Sequence, residues 1–302
     1  MAERKRIKRE YGIGEWYCQL FSALSPEERS VLAKAALKPI TEAGQKCYFK
    51  DASSLEKCTK KGGICSIRHY EKLLDETVQA CEGEDGRLVV LCPNRFLEDG
   101  MIFKWVSQEL LKDNNPVVLN QINFLRSTVT DKSVGRIDNV LVSAMPDGTL
   151  NWCALEIQAV YFSGKARSSE FKALIEDASP LPFPSQPLRP DFRSSAPKRL
   201  MPQLQIKVPT LRRWGKKMAV VVDVPFFQSL GPMDQVRDVS NCDIVWFIVD
   251  FDTKCNPARI KLADTRYTTL EKAVDGLTAG IPMPLTDFEE QIRKKLSKIT
   301  CK

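Results

Sequence analysis

Three residues define the chemistry to look for: Asp138, Glu156 and Gln158. They lie within residues 135–164, where two apolar, β-branched runs flank the turn Met145-Pro146-Asp147-Gly148. Asp-Gly between such runs marks a β-hairpin. Side chains alternate along a strand, so Glu156 and Gln158 share one face and Ile157 takes the other. An antiparallel return brings Asp138 towards them. Carboxylates on a largely buried hairpin are costly unless a cation or hydrogen bonds compensate. A hard, oxygen-seeking ion such as Mg²⁺ suits the pair. The plainer reading of the same residues is two surface acids on a hairpin.

The surrounding pattern supplies elements to position them. Phe96 to Lys112 reads as a helix with Phe103, Val106 and Leu110 on its apolar face, and Val117 to Leu125 reads as a strand leading into the hairpin. Met218 to Val224 and Asp243 to Phe251 are continuous apolar runs, as buried central strands are. Leu200 to Trp214 and Leu285 to Leu296 read as helices with basic C-terminal ends. Near the N-terminus, Tyr11 to Phe21 is expected to be an amphipathic helix presenting Ile13, Trp16, Tyr17 and Leu20. Ser25-Pro26-Glu27-Glu28 starts another, with Ser at the N-cap and Pro at the first helical position. It runs to about Leu37. Strands interleaved with helices give an α/β fold. The exception is residues 164–199, proline-rich from Pro180 to Pro197 and carrying Arg189, Arg193, Lys198 and Arg199. Extended basic sequence of this kind suits either a loop tracking phosphates or a solvated linker.

Composition narrows the function. The 302 residues suffice for one large domain or two modest ones, and the net charge of +7 leans towards a polyanion partner. A single histidine, His69, argues against Ser-His-Asp and Cys-His catalysis and His-rich zinc hydrolase sites. No apolar run is long enough to span a membrane, and the basic start lacks a signal-peptide core, so a cytoplasmic location is expected. Disulfides are rare there, so the ten cysteines need another explanation. Cys47, Cys58, Cys65, Cys81 and Cys92 cluster in one segment, with a Lys61-Gly62-Gly63 turn that could wrap thiolates round an ion. Four thiolates would suit zinc or iron, and spacing selects neither the metal nor four ligands from the five. Plain buried cysteines are the alternative.

The spacing Asp138…Glu156-x-Gln158 has the shape of the PD-(D/E)xK nuclease site, with Gln158 where lysine is usual. Three stretches together resemble the NotI family of type II restriction endonucleases. They are the cysteine series ending in Leu91-Cys92-Pro93-Asn94-Arg95, Leu155-Glu156-Ile157-Gln158 with Phe162-Ser163-Gly164 behind it, and the strand Ile244 to Val249. The resemblance implies a PD-(D/E)xK-type mixed central sheet flanked by helices, with an N-terminal metal-binding subdomain (1–95) preceding a nuclease core (96–302). It implies structural iron on Cys47, Cys58, Cys65 and Cys92, leaving Cys81 outside. It also implies catalytic Mg²⁺ on Asp138 and Glu156, with Gln158 orienting water or phosphate. The expected reaction is hydrolysis of double-stranded DNA at a palindromic site by a homodimer, in a bacterium or archaeon. One departure is visible: where the family has a further acid on the preceding strand, this chain has Gln121 and Asn123, with Glu98 a possible substitute. The rival readings are a DNA-binding protein without cleavage and a metal-ribbon scaffold that binds protein.

Overall fold

The computed structural model describes residues 6–50, 56–144, 147–163, 167–186, 188–278 and 283–300. Met145 and Pro146 of the expected turn, and Gly164 behind the hairpin, lie outside them. An N-terminal sheet contains β1 (Arg6–Trp16), β2 (Gln19–Leu20), β3 (Ile64–Leu73), β4 (Val78–Ala80) and β5 (Val89–Val90). Its order is β2-β1-β3-β4, with β5 also on β3. The main sheet takes β6 (Val117–Arg126), β7 (Ser133–Ala144) and β8 (Leu150–Ile157). A small pair follows, β9 (Tyr161–Ser163) with β10 (Arg189–Asp191). The main sheet is completed by β11 (Met218–Asp223), β12 (Ile244–Asp252) and β13 (Arg259–Thr268). Its order is β13-β12-β11-β8-β7-β6, parallel through β8, β11 and β12 and antiparallel at both flanks. The helices are α1 (Pro26–Leu37), α2 (Ile40–Ala43), α3 (Met101–Leu110), α4 (Ser168–Glu176), α5 (Phe192–Ser195), α6 (Met201–Arg213), α7 (Val224–Gln228), α8 (Leu270–Thr278) and α9 (Leu285–Thr300). The fold is mixed α/β.

The continuous apolar runs became the sheet's centre: all six residues of β11 are buried, as are the first six of β12. A parallel strand covered on both faces has no solvent side to leave polar. Between β8 and β11 the chain must cross over, and α4, α5 and α6 lie in that crossover. α1 begins with the expected cap. The Ser25 hydroxyl accepts the Glu28 N–H at 3.2 Å, and the Glu28 carboxylate accepts the Ser25 N–H at 2.8 Å.

The first expected helix is a strand. Tyr11 to Trp16 belong to β1, paired antiparallel with β3. Gly12 and Gly14 explain the difference, since glycine weakens a helix interior and both positions need its lack of a side chain. A Cβ on Gly12 would stand 2.6 Å from the Pro184 ring, and one on Gly14 2.9 Å from a Leu88 methyl. Pro184 belongs to the proline-rich stretch, which is therefore fastened down over β1. The Arg29 guanidinium of α1 donates to the carbonyls of Leu24 and Pro180, each at 2.9 Å, and to that of Ser179. Arg189, Arg193, Lys198 and Arg199 nevertheless remain exposed.

The two chain segments on either side of residue 95 share one hydrophobic core, which runs from Ile13 through Ile137 to Leu277. Among the hydrogen bonds that cross between them are Val160 N–H to Val90 carbonyl at 2.7 Å and Val90 N–H to Asp223 at 2.6 Å. Among the described residues no helix is long and apolar enough to cross a membrane.

Candidate active site

β7 and β8 pair with Asn139 opposite Leu155 and Val140 opposite Ala154. Continued by one step, that register sets Asp138 across from Glu156. Both carboxylates face the same buried ammonium, at 2.7 Å from Glu156 and 3.7 Å from Asp138. The Glu156 side chain is 4% exposed and that of Asp138 52%, so one carboxylate is sealed in the sheet and the other opens to solvent. Burial pushes the Glu156 carboxyl up from its ordinary range, an adjacent ammonium pulls it back, and Asp138 pushes it up again.

That ammonium is Lys207, which the sequence reading overlooked. Its Nζ donates to Glu156 Oε2 at 2.7 Å and to Gln203 Oε1 at 2.6 Å, and stands 3.7 Å from Asp138 Oδ2. Its side chain is 7% exposed. Lys207 lies 51 residues beyond Glu156 and reaches it because α6 sits in the crossover. One signal could have found it. Leu200, Leu204, Val208 and Leu211 form a buried helical stripe, and position 207 falls within that stripe, three residues after 204. A lysine there must meet a buried partner.

Gln158 follows β8 and is held by its own backbone, whose N–H donates to the Val221 carbonyl at 3.0 Å. The side-chain amide donates to the carbonyl of Ala159. With Asp138, Glu156, Ile157, Tyr161, Gln203 and Arg199, Gln158 lines a cleft of about 360 Å³. Cations edge this space. Arg199 stacks over the Tyr161 ring at 3.4 Å, and Lys60, also lining the cleft, is anchored by a 2.8 Å hydrogen bond to the Leu91 carbonyl. Such a cleft is large enough for a phosphodiester and a hydrated ion, and its donor set of carboxylates and amide oxygens fits a hard cation.

Of the residues considered for a further acid, none supplies a carboxylate here. Gln121 sits between residues paired with Asn139 and Ile137, which puts it opposite Asp138 in register, with a left-handed φ of 59°. Its side-chain oxygen accepts from Arg136 at 3.3 Å. Asn123 is exposed further along β6. Glu98 is committed elsewhere: it accepts Arg95 Nη1 at 2.6 Å, the Ile260 N–H at 3.0 Å and Arg259 at 3.3 Å. Arg95 itself is fully buried between the Phe49 and Phe251 rings and bonded to Glu15 at 2.8 Å. This network is structural.

The cysteines converge, but not as a ligand shell. Cys47, Cys58, Cys65 and Cys92 are all buried and free in one core cluster. Gly62 and Gly63 both take positive φ in the turn between them, and a Cβ on Gly63 would meet the Tyr17 ring at 2.3 Å. The Cys58 thiol donates to the Lys60 carbonyl at 3.8 Å and the Cys65 thiol to that of Gly63 at 3.5 Å, while the backbone near Phe49, Lys50, Lys60 and Asn94 pulls the Cys47, Cys58 and Cys92 thiols down. Such a pull favours thiolates. Cys18, absent from the expected set, lies beside Cys47 and Cys65, close enough for the thiols to shift one another's ionisation. Burial pushes the Cys58 and Cys92 thiols up, and Cys47 is raised first by Cys18 and then by burial. Among the described residues no group of three or more His, Cys, Asp or Glu side chains is arranged to hold a metal ion. The expected four-cysteine shell is therefore not assembled in this structure, and Cys18 lies among its members. Cys81 stands apart, among Arg9, Glu71, Asp85 and Arg68.

Comparison with known families agrees with the cleft. The family model described as restriction endonuclease NotI matches residues 32–262, well over half of the chain and every residue lining the cleft. The class this defines is the type II site-specific deoxyribonuclease, whose substrate is double-stranded DNA. The chain belongs to the NotI restriction endonuclease family. No curated protein matches it.

Proposed function

We propose that the protein is a Mg²⁺-dependent type II restriction endonuclease that hydrolyses phosphodiester bonds at a specific sequence in double-stranded DNA, using a PD-(D/E)xK-type site. The observation that carries this reading is the placement of Asp138 across from Glu156 in register, both beside Lys207, at a cleft edged by Lys60 and Arg199. Lys207 offsets one of the two carboxylate charges and leaves the other for a bound cation to meet. Asp138 and Glu156 would hold Mg²⁺ with the Ile157 carbonyl beside them. When bound, the ion supplies Lewis-acid stabilisation to the scissile phosphate and acidifies water. Gln158 contributes a neutral amide to orient water or a phosphate oxygen, and it carries no charge with which to do more. Arg199 and Lys60 hold the phosphate chain.

The same reading divides the chain into a cysteine-bearing segment, 1–95, and a nuclease core, 96–302, with Cys47, Cys58, Cys65 and Cys92 holding one structural iron or zinc. Cleavage of both strands of a palindromic site calls for two hydrolytic centres about a two-fold axis, hence a homodimer. Digestion of a sequenced plasmid with purified protein and Mg²⁺, followed by mapping of the cut ends, tests the reading. Discrete ends at one repeated sequence are expected. Asp138→Ala and Glu156→Ala should abolish cutting while DNA binding in Ca²⁺ persists. A folded Asp138→Ala protein that cuts at the wild-type rate would sink the assignment.

A further inference from the structure

Gln158 leaves the site without an ammonium at the position where this type of motif usually has one. We infer that Lys207, delivered from α6, supplies that ammonium and bonds the attacking water or the scissile phosphate; this rests on the nuclease reading above. A buried lysine is expensive, and a well-packed apolar residue of similar volume would often serve stability as well. Its retention in an otherwise apolar stripe (Leu204, Val208, Leu211) points to work at the carboxylates it touches. Two of its hydrogen-bond directions are used, on Glu156 Oε2 at 2.7 Å and Gln203 Oε1 at 2.6 Å. The remaining contact is the looser one, 3.7 Å to Asp138, on the solvent-open side of the pair.

Charge balance supports the assignment. Asp138 and Glu156 with Lys207 leave one negative charge. A divalent cation reverses that to one positive, which matches the single negative charge of a phosphodiester. Without Lys207 the loaded site would be neutral and would attract the substrate less. With a lysine at both 158 and 207 it would carry excess charge. In the reaction a water oxygen bonds to phosphorus as the bond from phosphorus to the leaving ester oxygen breaks. One water proton passes to solvent, and the leaving oxygen takes a proton from solvent. Lys207 donates hydrogen bonds throughout and ends as it began.

The test compares wild type, Lys207→Gln, Lys207→Arg, Gln158→Lys and the double variant Gln158→Lys/Lys207→Gln. Single-turnover cleavage, Mg²⁺ affinity by calorimetry without DNA, and DNA binding in Ca²⁺ are read for each. Lys207→Gln can still donate to Glu156, so it should fold and bind Mg²⁺ at least as tightly as wild type while cleaving about 100-fold more slowly. Lys207→Arg keeps the charge and should lose less. Gln158→Lys alone should be impaired, and the double variant should regain about tenfold over Lys207→Gln. Lys207→Gln cutting at the wild-type rate overturns the inference. So does a loss fully explained by weaker Mg²⁺ binding and not recovered by Gln158→Lys, because Lys207 would then only hold Glu156. A wild-type protein that cuts no DNA fails the nuclease reading itself, a result distinct from either.

Discussion

Asp138 and Glu156 share a site but differ in what surrounds them, and their substitutions should separate accordingly. Glu156 is sealed and holds the buried Lys207; Asp138 is half exposed. Removing one partner of a buried pair strands the other charge, so Glu156→Ala should cost about 3 kcal/mol of stability. Asp138→Ala removes a solvent-facing group and should cost under about 1 kcal/mol. Urea unfolding of both variants checks the contrast; equal losses would mean that Lys207 is not held mainly by Glu156. The legible part of the site was local. Period-two alternation and an Asp-Gly turn placed Asp138, Glu156 and Gln158 together without knowledge of the fold. Lys207 was not legible in the same way, since only the crossover between β8 and β11 brings it near. Its place on the apolar stripe of α6 shows that something buried must meet it, without showing what.

At the scale of elements, strand type was readable where burial is continuous, as in β11 and β12, and unreadable in β1. There Ile13, Trp16, Tyr17 and Leu20 mimic helical spacing, while the deciding contacts, on Gly12 and Gly14, come from Pro184 and Leu88 far along the chain. Gly12→Ala should lower stability by about 2 kcal/mol, because the added methyl meets both Pro184 and the Tyr70 ring. A thermal melt matching wild type would show that the proline-rich stretch lifts off freely. Asp223 ties two sheets in another way. It ends β11, caps α7 through the Phe226 N–H at 2.7 Å and accepts the Val90 N–H from β5 at 2.6 Å. Full burial pushes its carboxyl up to about 7, against the pull of those two donors. In the unfolded chain an aspartate titrates near pH 4. Through the window between those values the native state keeps a proton that the unfolded chain has lost. Its contribution to stability therefore declines as pH rises through the window and is constant above it. Asp223→Asn cannot ionise and so lacks that slope, and the wild-type-minus-variant difference in urea unfolding should fall as pH rises through the window. A difference that stays flat across the window would place the titration elsewhere.

Across the whole molecule, the cysteine cluster lies where the N-terminal sheet, the β5 loop and the cleft meet. Cys65 begins β3, Cys92 follows β5 and Cys18 follows β1, while Lys60, two residues after Cys58, lines the cleft. Four buried thiols, three of them pulled down by the nearby backbone, form a donor set that a soft-ligand metal would stabilise as thiolates. Binding energy at such a site is folding energy, so its loss should be felt by the shared core rather than by one loop. Anaerobically purified protein should accordingly contain about one iron or zinc per chain. Chelation should lower the melting temperature of the whole transition, since removing a ligand that binds only the native state lowers apparent stability. Cys47→Ser, Cys58→Ser, Cys65→Ser and Cys92→Ser should each reproduce that loss, and Cys81→Ser should be mild. Cys18→Ser distinguishes the two states of the cluster. It removes the thiol beside Cys47 and Cys65, and so should leave metal content intact if those two sulfurs turn to the ion. Elemental analysis finding no transition metal, together with a melting temperature indifferent to chelator, would leave these residues as packed thiols and end the metal reading.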